Sequence, residues 1–211
     1  MPSRTLPLGV LASGRGSNLQ AILDAIAQGR LSATVVLVAG DREEAQAVQR
    51  ARAAGIPTAV VSPKAFSTRE EYDGEIAKIL REAGAEVVVL AGYMRIVTNR
   101  LLHAFPQRVI NIHPSLLPAF PGLHAQRQAL AHGVKVSGCT AHFVDETVDS
   151  GAIILQASVP VLEDDTETSL AERILAEEHR ILPQALQLYA DGRLSIQGRR
   201  VLIAPAAHAL T

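Results

Sequence analysis

Asn111 and His113 are the residues whose types and spacing most directly suggest chemistry in this sequence. They stand two positions apart at the end of an apolar run in VINIHPSLLPAFPG, residues 109–122. Because side chains alternate along a strand, both point to one side while Ile110 and Ile112 enter the core. An amide beside an imidazole can donate two hydrogen bonds to a developing oxyanion, and the imidazole can move a proton. The pattern predicts a catalytic pair, with a structural histidine beside a loop as the alternative.

A carboxylate near His113 would favour its protonated form and so help it to act as an acid. The segment VDETVDSG offers Asp145, Glu146 and Asp149. Asp149 precedes Ser150 and a glycine at the far end of the turn, where it is well placed to face a site. Spacing alone leaves the choice among the three open.

A glycine-rich stretch, SGRGSN at residues 13–18, lies between a predicted strand and a predicted helix. Free backbone N–H groups and the positive end of a helix favour an anion there, and glycines allow close approach. A dinucleotide fingerprint would need a third Gly or Ala at Leu19, and a P-loop would need Gly-Lys-Ser/Thr. What remains is a small-phosphate site, with Ser17 and Asn18 as both cap and ligand, or a plain capped turn.

Composition narrows the classes of partner. The formal net charge is −1, with Lys and Arg scattered among Asp and Glu, which argues against nucleic acid as the main partner. The single cysteine, Cys139, and the absence of clustered His or Cys spacing predict no metal site. The longest apolar run, VVVLAGYM, is far below the roughly 20 residues of a membrane span, and the N terminus lacks a signal peptide's apolar stretch. We expect a cytoplasmic monomer or homodimer with small-molecule substrates.

Alternating segments predict an α/β fold with an open, mostly parallel twisted sheet of right-handed βαβ units. Five continuously apolar runs are typical of strands buried on both faces: PLGVLAS, ATVVLVAG, IPTAVVS, AEVVVLAG and RVINIHP. Three helical segments between them end at Gly29, Gly55 and Gly84. Ser67, with Glu70 three residues later, predicts a capping box for the third helix. The Asn-x-His pair then lies at the carboxyl end of a parallel strand, where such sheets bind ligands.

The last third of the chain predicts an antiparallel C-terminal addition to this sheet. KVSGCTAHFVDETVDSGAIILQASVPV reads as two strands around a polar turn, and GRLSIQGRRVLIA as a final hairpin. A long helix is predicted over about 166–191, with Thr166 as its cap and Pro183 expected to kink or restart it. Neither a repeat nor a linker is evident, so we expect one domain over residues 1–211.

Five stretches in this order resemble the folate-dependent formyltransferase family: SGRGSNLQAI, VLAGYMRI, NIHPSLLPAFPGLHA, GCTAHFVDETVDSGAIILQ and EEHRILPQAL. The resemblance runs from about residue 8 to 193, and its Gly-Ser-Asn loop resembles the branch that formylates glycinamide ribonucleotide. It implies a Rossmann-like fold of the formyltransferase type. It also implies direct formyl transfer from the co-substrate 10-formyltetrahydrofolate to the amine of glycinamide ribonucleotide, in de novo purine biosynthesis and without a metal.

The resemblance also implies that the domain has two halves. The N-terminal half, about 8–105, binds phosphate, and the C-terminal half, about 106–200, binds folate and carries the catalytic residues. Roles for individual residues are implied as well. The catalytic set is Asn111, His113 and Asp149, with Asp149 tuning the histidine. The ribonucleotide-binding set is Gly16, Ser17, Asn18, Leu175, Ala176, Glu177 and Glu178, although Leu175 offers no polar group. The folate-binding set is Arg69, Met94, Arg95, Ile96, Val97, Asn111, Asp145, Glu146, Thr147, Val148 and Asp149. A solvated helix charge is the alternative for Arg69 and Glu178.

Sibling formyltransferases share the Asn, His and Asp set. The initiator-tRNA enzyme would require a further C-terminal domain and a basic surface. The formyltetrahydrofolate hydrolase would require an N-terminal regulatory domain and is not expected to read Gly-Ser-Asn, and sugar-nucleotide formyltransferases are usually longer. An inert phosphate-binding module is the alternative from another class.

Overall fold

The computed structural model describes residues 5–206, which form nine strands and six α-helices. The strands are β1 Leu6–Leu11, β2 Ala33–Gly40, β3 Thr58–Val60, β4 Val87–Leu90, β5 Val109–His113, β6 Val136–Phe143, β7 Ile153–Pro160, β8 Leu194–Gln197 and β9 Arg200–Ile203. The helices are α1 Ser17–Ala27, α2 Gln46–Ala53, α3 Arg69–Glu82, α4 Asn99–Ala104, α5 Ala125–Ala131 and α6 Glu167–Ala190. Among these residues, no helix combines the length and apolar character that a membrane crossing requires.

All nine strands belong to one sheet in the order β3-β2-β1-β4-β5-β6-β7-β9-β8. Every neighbouring pair within β3-β2-β1-β4-β5 is parallel. In contrast, β6 is antiparallel to both β5 and β7, and β8 is antiparallel to β9. The predicted fold class, a mostly parallel α/β sheet with an antiparallel C-terminal addition, is confirmed. Winding changes direction between β1 and β4, and the loops after their carboxyl ends form the usual ligand crevice of such sheets.

Both faces of the central sheet are covered by helices, which explains the continuously apolar strands. Val89 of β4 packs in a cluster with Leu19 of α1 and Ile174 of α6. Its neighbour Val88 packs on the opposite face with Ile76 of α3. Because side chains alternate along a strand, burial of both faces requires apolar residues at every position of β4.

The capping box of α3 lies one residue later than predicted. Thr68 Oγ1 accepts the Glu71 N–H at 3.1 Å, and Glu71 Oε2 accepts the Thr68 N–H at 3.2 Å. The predicted pair of Ser67 and Glu70 is therefore wrong. The sequence STREE contains two overlapping boxes of equal spacing, and spacing alone cannot distinguish them.

Two helix predictions also differ from the structure. Residues 41–45 precede α2 as a turn, so that helix is shorter than the helical pattern indicated. Helix α6 is one helix through Pro183, so the predicted restart is wrong, whereas the alternative, a kink at Pro183, stays a prediction. Proline removes one backbone donor from a helix interior. Pro183 is itself buried in the helix, as are the nearby Leu182 and Ala185.

Candidate active site

The structure brings Asn111, His113 and Asp149 together at the carboxyl end of β5. Nδ1 of His113 lies 3.3 Å from Oδ2 of Asp149. Nδ2 of Asn111 lies 3.5 Å from the other carboxylate oxygen, Oδ1. Of the three acidic candidates, Asp149 is the one that contacts the Asn-x-His pair, whereas Asp145 and Glu146 are exposed. The fold therefore identifies Asp149 as the carboxylate beside His113, a choice among three acidic residues that sequence spacing left open.

Local backbone geometry directs Asp149 into the site. Its φ of 51° is left-handed, a conformation that Asp tolerates better than most residues. The Gly122 N–H donates to Oδ2 of Asp149 at 2.7 Å. Two residues on, a Cβ at Gly151 would come within 1.8 Å of the Phe143 carbonyl oxygen, so glycine is required for the close approach. The Asp-Ser-Gly sequence thus turns the chain tightly and leaves the carboxylate facing His113.

The imidazole of His113 is buried and both of its nitrogens have acceptors beside them. Nε2 lies 2.9 Å from the Phe120 carbonyl oxygen, which can only accept, so Nε2 carries a proton. Nδ1 faces the Asp149 carboxylate, which also accepts when ionised. Both contacts are hydrogen bonds when the ring is doubly protonated. The geometry therefore suits an imidazolium at His113.

A second histidine, His142, lies in this site, although it was not predicted there from the sequence. Antiparallel pairing of β5 with β6 sets it opposite Asn111. Its Nδ1 lies 2.8 Å from the Phe143 carbonyl oxygen and must carry the proton, so Nε2 accepts from Asn111 Nδ2 at 3.2 Å. Burial lowers the pKa of His142, which keeps the ring neutral. The β5–β6 register is the signal that could have revealed it, and that register is long-range.

A cavity of about 630 Å³ opens beside Asn111, His113 and Asp149, a size that suits a small-molecule site. Asn111, His113, His142 and Asp149 all line it. It is also lined by most of the residues expected to contact folate: Arg69, Met94, Arg95, Ile96, Val97, Asp145, Glu146 and Val148. Thr147 is the one expected folate residue of the described chain outside the lining, and its N–H donates to Asp145 at 3.0 Å.

The wall formed by residues 93–98 is fixed from behind. The Arg95 guanidinium stacks over the Tyr72 ring at 4.9 Å, and the Tyr93 hydroxyl donates to that of Tyr72 at 3.1 Å. The Thr98 N–H donates to Oδ2 of Asp73 at 2.5 Å. Burial raises the pKa of Asp73. These contacts hold the wall against α3.

The glycine-rich loop has the geometry of an anion site, but its capping differs from the prediction. Gly16 is the N-cap of α1 at φ 72°, and within residues 5–206 no side chain caps it. The expected capping role of Ser17 and Asn18 is therefore wrong. A Cβ at Gly16 would lie 2.6 Å from Cα of Ala47, so only glycine fits beside α2. The N–H groups of the first turn remain available to an anion.

Asn18 instead contacts Glu178 from α6, 160 residues away along the chain. Its Nδ2 donates to Oε2 of Glu178 at 2.7 Å, and both side chains are buried. Oδ1 of Asn18 is also buried and has no hydrogen-bond partner within residues 5–206. Burial raises the pKa of Glu178. Two acceptor groups, the Glu178 carboxyl and Oδ1 of Asn18, thus lie beside the glycine-rich loop of residues 13–18.

The other residues expected near the ribonucleotide have different surroundings. Glu177 forms an ion pair with Arg180 at 2.6 Å, Leu175 is half-buried and Ala176 is exposed. The glycine-rich loop is nevertheless tied to the cavity wall, because Ser13 Oγ accepts the Met94 N–H at 3.2 Å. Across the described residues no group of three or more His, Cys, Asp or Glu side chains is arranged to hold a metal ion.

The chain is similar in sequence and in structure to known proteins of one family. The sequence profile described as formyl transferase matches residues 8–186. Phosphoribosylglycinamide formyltransferase of Escherichia coli is 44% identical over 187 residues, covering 89% of this chain and 88% of that protein. The crystal structure of glycinamide ribonucleotide transformylase 1 from Symbiobacterium toebii matches with a TM-score of 0.94 and 56% identity, covering 96% of this chain and 95% of that one.

Some relatives are much longer. The trifunctional purine biosynthetic protein adenosine-3 of Drosophila melanogaster is 49% identical over 195 residues. These cover 91% of this chain but only 14% of that protein. With a profile match over most of its length, the chain belongs to the formyl transferase family.

Proposed function

We propose that the chain is a phosphoribosylglycinamide formyltransferase, which transfers a formyl group from 10-formyltetrahydrofolate to glycinamide ribonucleotide in de novo purine biosynthesis. The observation that carries the proposal is the convergence of Asn111, His113 and Asp149 on one cavity, next to an anion loop. The Escherichia coli and Symbiobacterium toebii proteins named for this activity match over nearly their whole lengths.

The reaction begins with attack of the ribonucleotide's primary amine on the formyl carbon. A C–N bond forms to the amine, and the formyl oxygen gains negative charge. Asn111 Nδ2 and a ring N–H of His113 stabilise that charge by hydrogen bonding. The C–N bond to the folate then breaks as the amine's proton passes to the folate nitrogen, with Asp149 as the relay. Substrate and product differ only in the carrier of the formyl group, so no oxidant or covalent enzyme intermediate is needed.

The two oxyanion donors share one partner in the absence of substrate. Asn111 Nδ2 lies 3.5 Å from Asp149, and His113 Nδ1 lies 3.3 Å from the same carboxylate. Both distances are longer than a typical charge-assisted hydrogen bond. A formyl oxygen entering between the donors would replace weak contacts, whereas the 2.7 Å bond from Gly122 would continue to hold Asp149. This arrangement supports the assignment of the two side chains to the oxyanion.

The proposed ribonucleotide site combines N–H donors with oxygen acceptors. Backbone N–H groups from Gly16, Ser17 and Asn18 suit the substrate phosphate. Oδ1 of Asn18 has no hydrogen-bond partner among residues 5–206. This oxygen and the Glu178 carboxylate can accept hydrogen bonds, so they suit the ribose hydroxyls. On the folate side, Arg69 and Arg95 both line the cavity. The Arg95 guanidinium lies over the Tyr72 ring, whereas that of Arg69 suits a carboxylate of a folate tail.

The test is to mix the purified protein with 10-formyltetrahydrofolate and follow folate absorbance with and without glycinamide ribonucleotide. We expect tetrahydrofolate to appear only when the ribonucleotide is present. Deformylation without it would identify a hydrolase, and silence in both mixtures would identify an inert binding module. The Asn111→Ala variant serves as the control for contaminating activity.

A further inference from the structure

We propose that Gln156, on β7, is a positioning residue for His113 and Asp149 and acts through the loop formed by residues 114–122. The proposal rests on the proposed function of the same site. Gln156 pairs with Thr140 across the β6–β7 register, two strands away from β5. Its side chain has no hydrogen bond to either catalytic residue among those the structure describes. Any influence on the site must therefore pass through the loop.

The loop supplies one backbone contact to each catalytic side chain. The Phe120 carbonyl oxygen lies 2.9 Å from His113 Nε2, and the Gly122 N–H donates to Asp149 at 2.7 Å. Both loop residues have left-handed φ values, 52° and 80°. That region is sterically unfavourable for Phe120, so neighbouring contacts must hold the loop in this shape. The orientation of the His113–Asp149 pair depends on them.

Thr140 holds the base of the loop. Its hydroxyl donates to the Ser115 carbonyl oxygen at 2.7 Å and accepts the Leu117 N–H at 3.0 Å. The Ser115 hydroxyl donates in turn to the Ala119 carbonyl oxygen at 2.5 Å, next to Phe120. Thr140 and Ser115 are both fully buried, where an unmade hydrogen bond is costly. This network fixes the path of the loop toward the two catalytic contacts.

Gln156 completes the network from outside. Its Nε2 donates to the Leu117 carbonyl oxygen at 2.9 Å and to the Thr140 hydroxyl at 3.0 Å. With that second bond, Oγ1 of Thr140 accepts twice and donates once, which uses its full capacity. Gln156 thus holds the Thr140 hydroxyl in place, and that hydroxyl in turn holds the loop of residues 114–122. Because Gln156 is itself exposed, its replacement leaves the core intact.

Two substitutions separate positioning from general damage. Gln156→Glu keeps the shape but sets a carboxylate against the Leu117 carbonyl oxygen, which cannot donate to it. Gln156→Met removes the donor without adding charge. Ser158→Ala is the matched control, because Ser158 is exposed and lies two residues along the same face of β7.

The experiment measures kcat, the KM for each substrate, the pH–rate profile and the melting temperature of the full chain. We expect both Gln156 variants to lose about tenfold or more in kcat, since small misplacements of reacting groups are costly. Their pH–rate profiles should change, while the KM for glycinamide ribonucleotide and the melting temperature stay near wild type. Ser158→Ala should match wild type throughout. Wild-type kcat and pH profile in both Gln156 variants, or equal losses in Ser158→Ala, would overturn the proposal.

A second readout does not depend on turnover. The imidazole ¹⁵N signals of His113 report the protons and hydrogen bonds at both ring nitrogens. They should move in Gln156→Glu and Gln156→Met but not in Ser158→Ala. If the wild-type protein proved inactive, the proposed function would be wrong. The His113 signals would still test whether Gln156 positions the histidine. Unmoved signals in both Gln156 variants would refute that role.

Discussion

Nε2 of His142 lies 3.2 Å from Nδ2 of Asn111, directly across the β5–β6 pair. The other nitrogen of His142 donates to its neighbour's carbonyl oxygen at 2.8 Å, which leaves Nε2 as a fixed acceptor. A fixed acceptor decides which end of the Asn111 amide faces the site. One N–H of the Asn111 amide is therefore bonded to His142, and the other lies toward Asp149 and the cavity, where the proposed oxyanion would form.

His142→Phe should lower kcat because it preserves a ring of similar volume but removes the acceptor that orients Asn111. Loss of one oxyanion donor costs roughly 10²–10³-fold in turnover, so the loss in His142→Phe should approach but not exceed that range. Steady-state kinetics of His142→Phe and Asn111→Ala would measure both effects.

The double variant decides whether the two residues act together. If His142 works through Asn111, His142→Phe should cost little more once Asn111→Ala is present. Fully multiplicative losses would show that His142 has a separate role.

Asp149→Asn tests the carboxylate beside His113. The replacement amide oxygen can still accept the Gly122 N–H, so the loop contact persists. What is lost is the negative charge 3.3 Å from His113 Nδ1, which favours the protonated ring. We expect kcat to fall by roughly 10²-fold or more in steady-state kinetics. Near-wild-type turnover in Asp149→Asn would argue against this role.

Much of the fold could be predicted because its signals are local. Apolar runs such as AEVVVLAG mark strands covered on both faces, and the end of β5 locates Asn111 and His113. The α3 cap shows the limit of local signals, since Ser67 and Thr68 satisfy the same spacing rule. Only the backbone path into the helix selects Thr68.

The rest of the site depends on contacts between distant parts of the chain. His142 reaches Asn111 through the strand register, and Asn18 reaches Glu178 across 160 residues. Asp149 is distinguished from Asp145 by a left-handed turn and by a bond from Gly122. Neither composition nor periodicity encodes these contacts, because they depend on how the loops pack once the sheet has formed.

Gly16→Ala tests the anion loop. The left-handed φ of 72° and a contact of 2.6 Å to the backbone of Ala47 both oppose a side chain at this position. We expect the variant to be less stable by about 1 kcal/mol or more, with a raised KM for glycinamide ribonucleotide and a smaller change in kcat. Urea unfolding and steady-state kinetics would measure the two effects.

Gly14→Ala is the matched control, because a Cβ there would meet no atom of residues 5–206 within 4 Å. It should remain close to wild type in both assays. Equal damage from the two substitutions would mean that the loop tolerates no change at all, rather than needing glycine at position 16 for its conformation.

Glu178→Gln should stabilise the protein at neutral pH while weakening substrate binding. Burial raises the pKa of Glu178 above its usual 4.5, so the folded state favours the neutral carboxyl. Its contribution to stability is full below pH 4.5 and is lost as the pH rises through the folded-state pKa. A glutamine keeps an acceptor for Asn18 and never ionises. The variant should therefore gain unfolding free energy at neutral pH, by about 1.4 kcal/mol for each tenfold difference in proton affinity between the folded and unfolded carboxyl. This gain should vanish toward acid pH.

Urea unfolding at several pH values would measure this difference, with Glu177→Gln as the control. Glu177 forms a helix-surface ion pair with Arg180, and such a pair contributes roughly 0.5 kcal/mol or less, with no gain expected on its removal. Glu178→Gln should also raise the KM for glycinamide ribonucleotide, because a neutral amide is a weaker acceptor for hydroxyl groups than a carboxylate. A less stable variant at neutral pH would mean that the Asn18–Glu178 bond outweighs the desolvation of the carboxylate. The buried charge would then support the fold as well as the substrate.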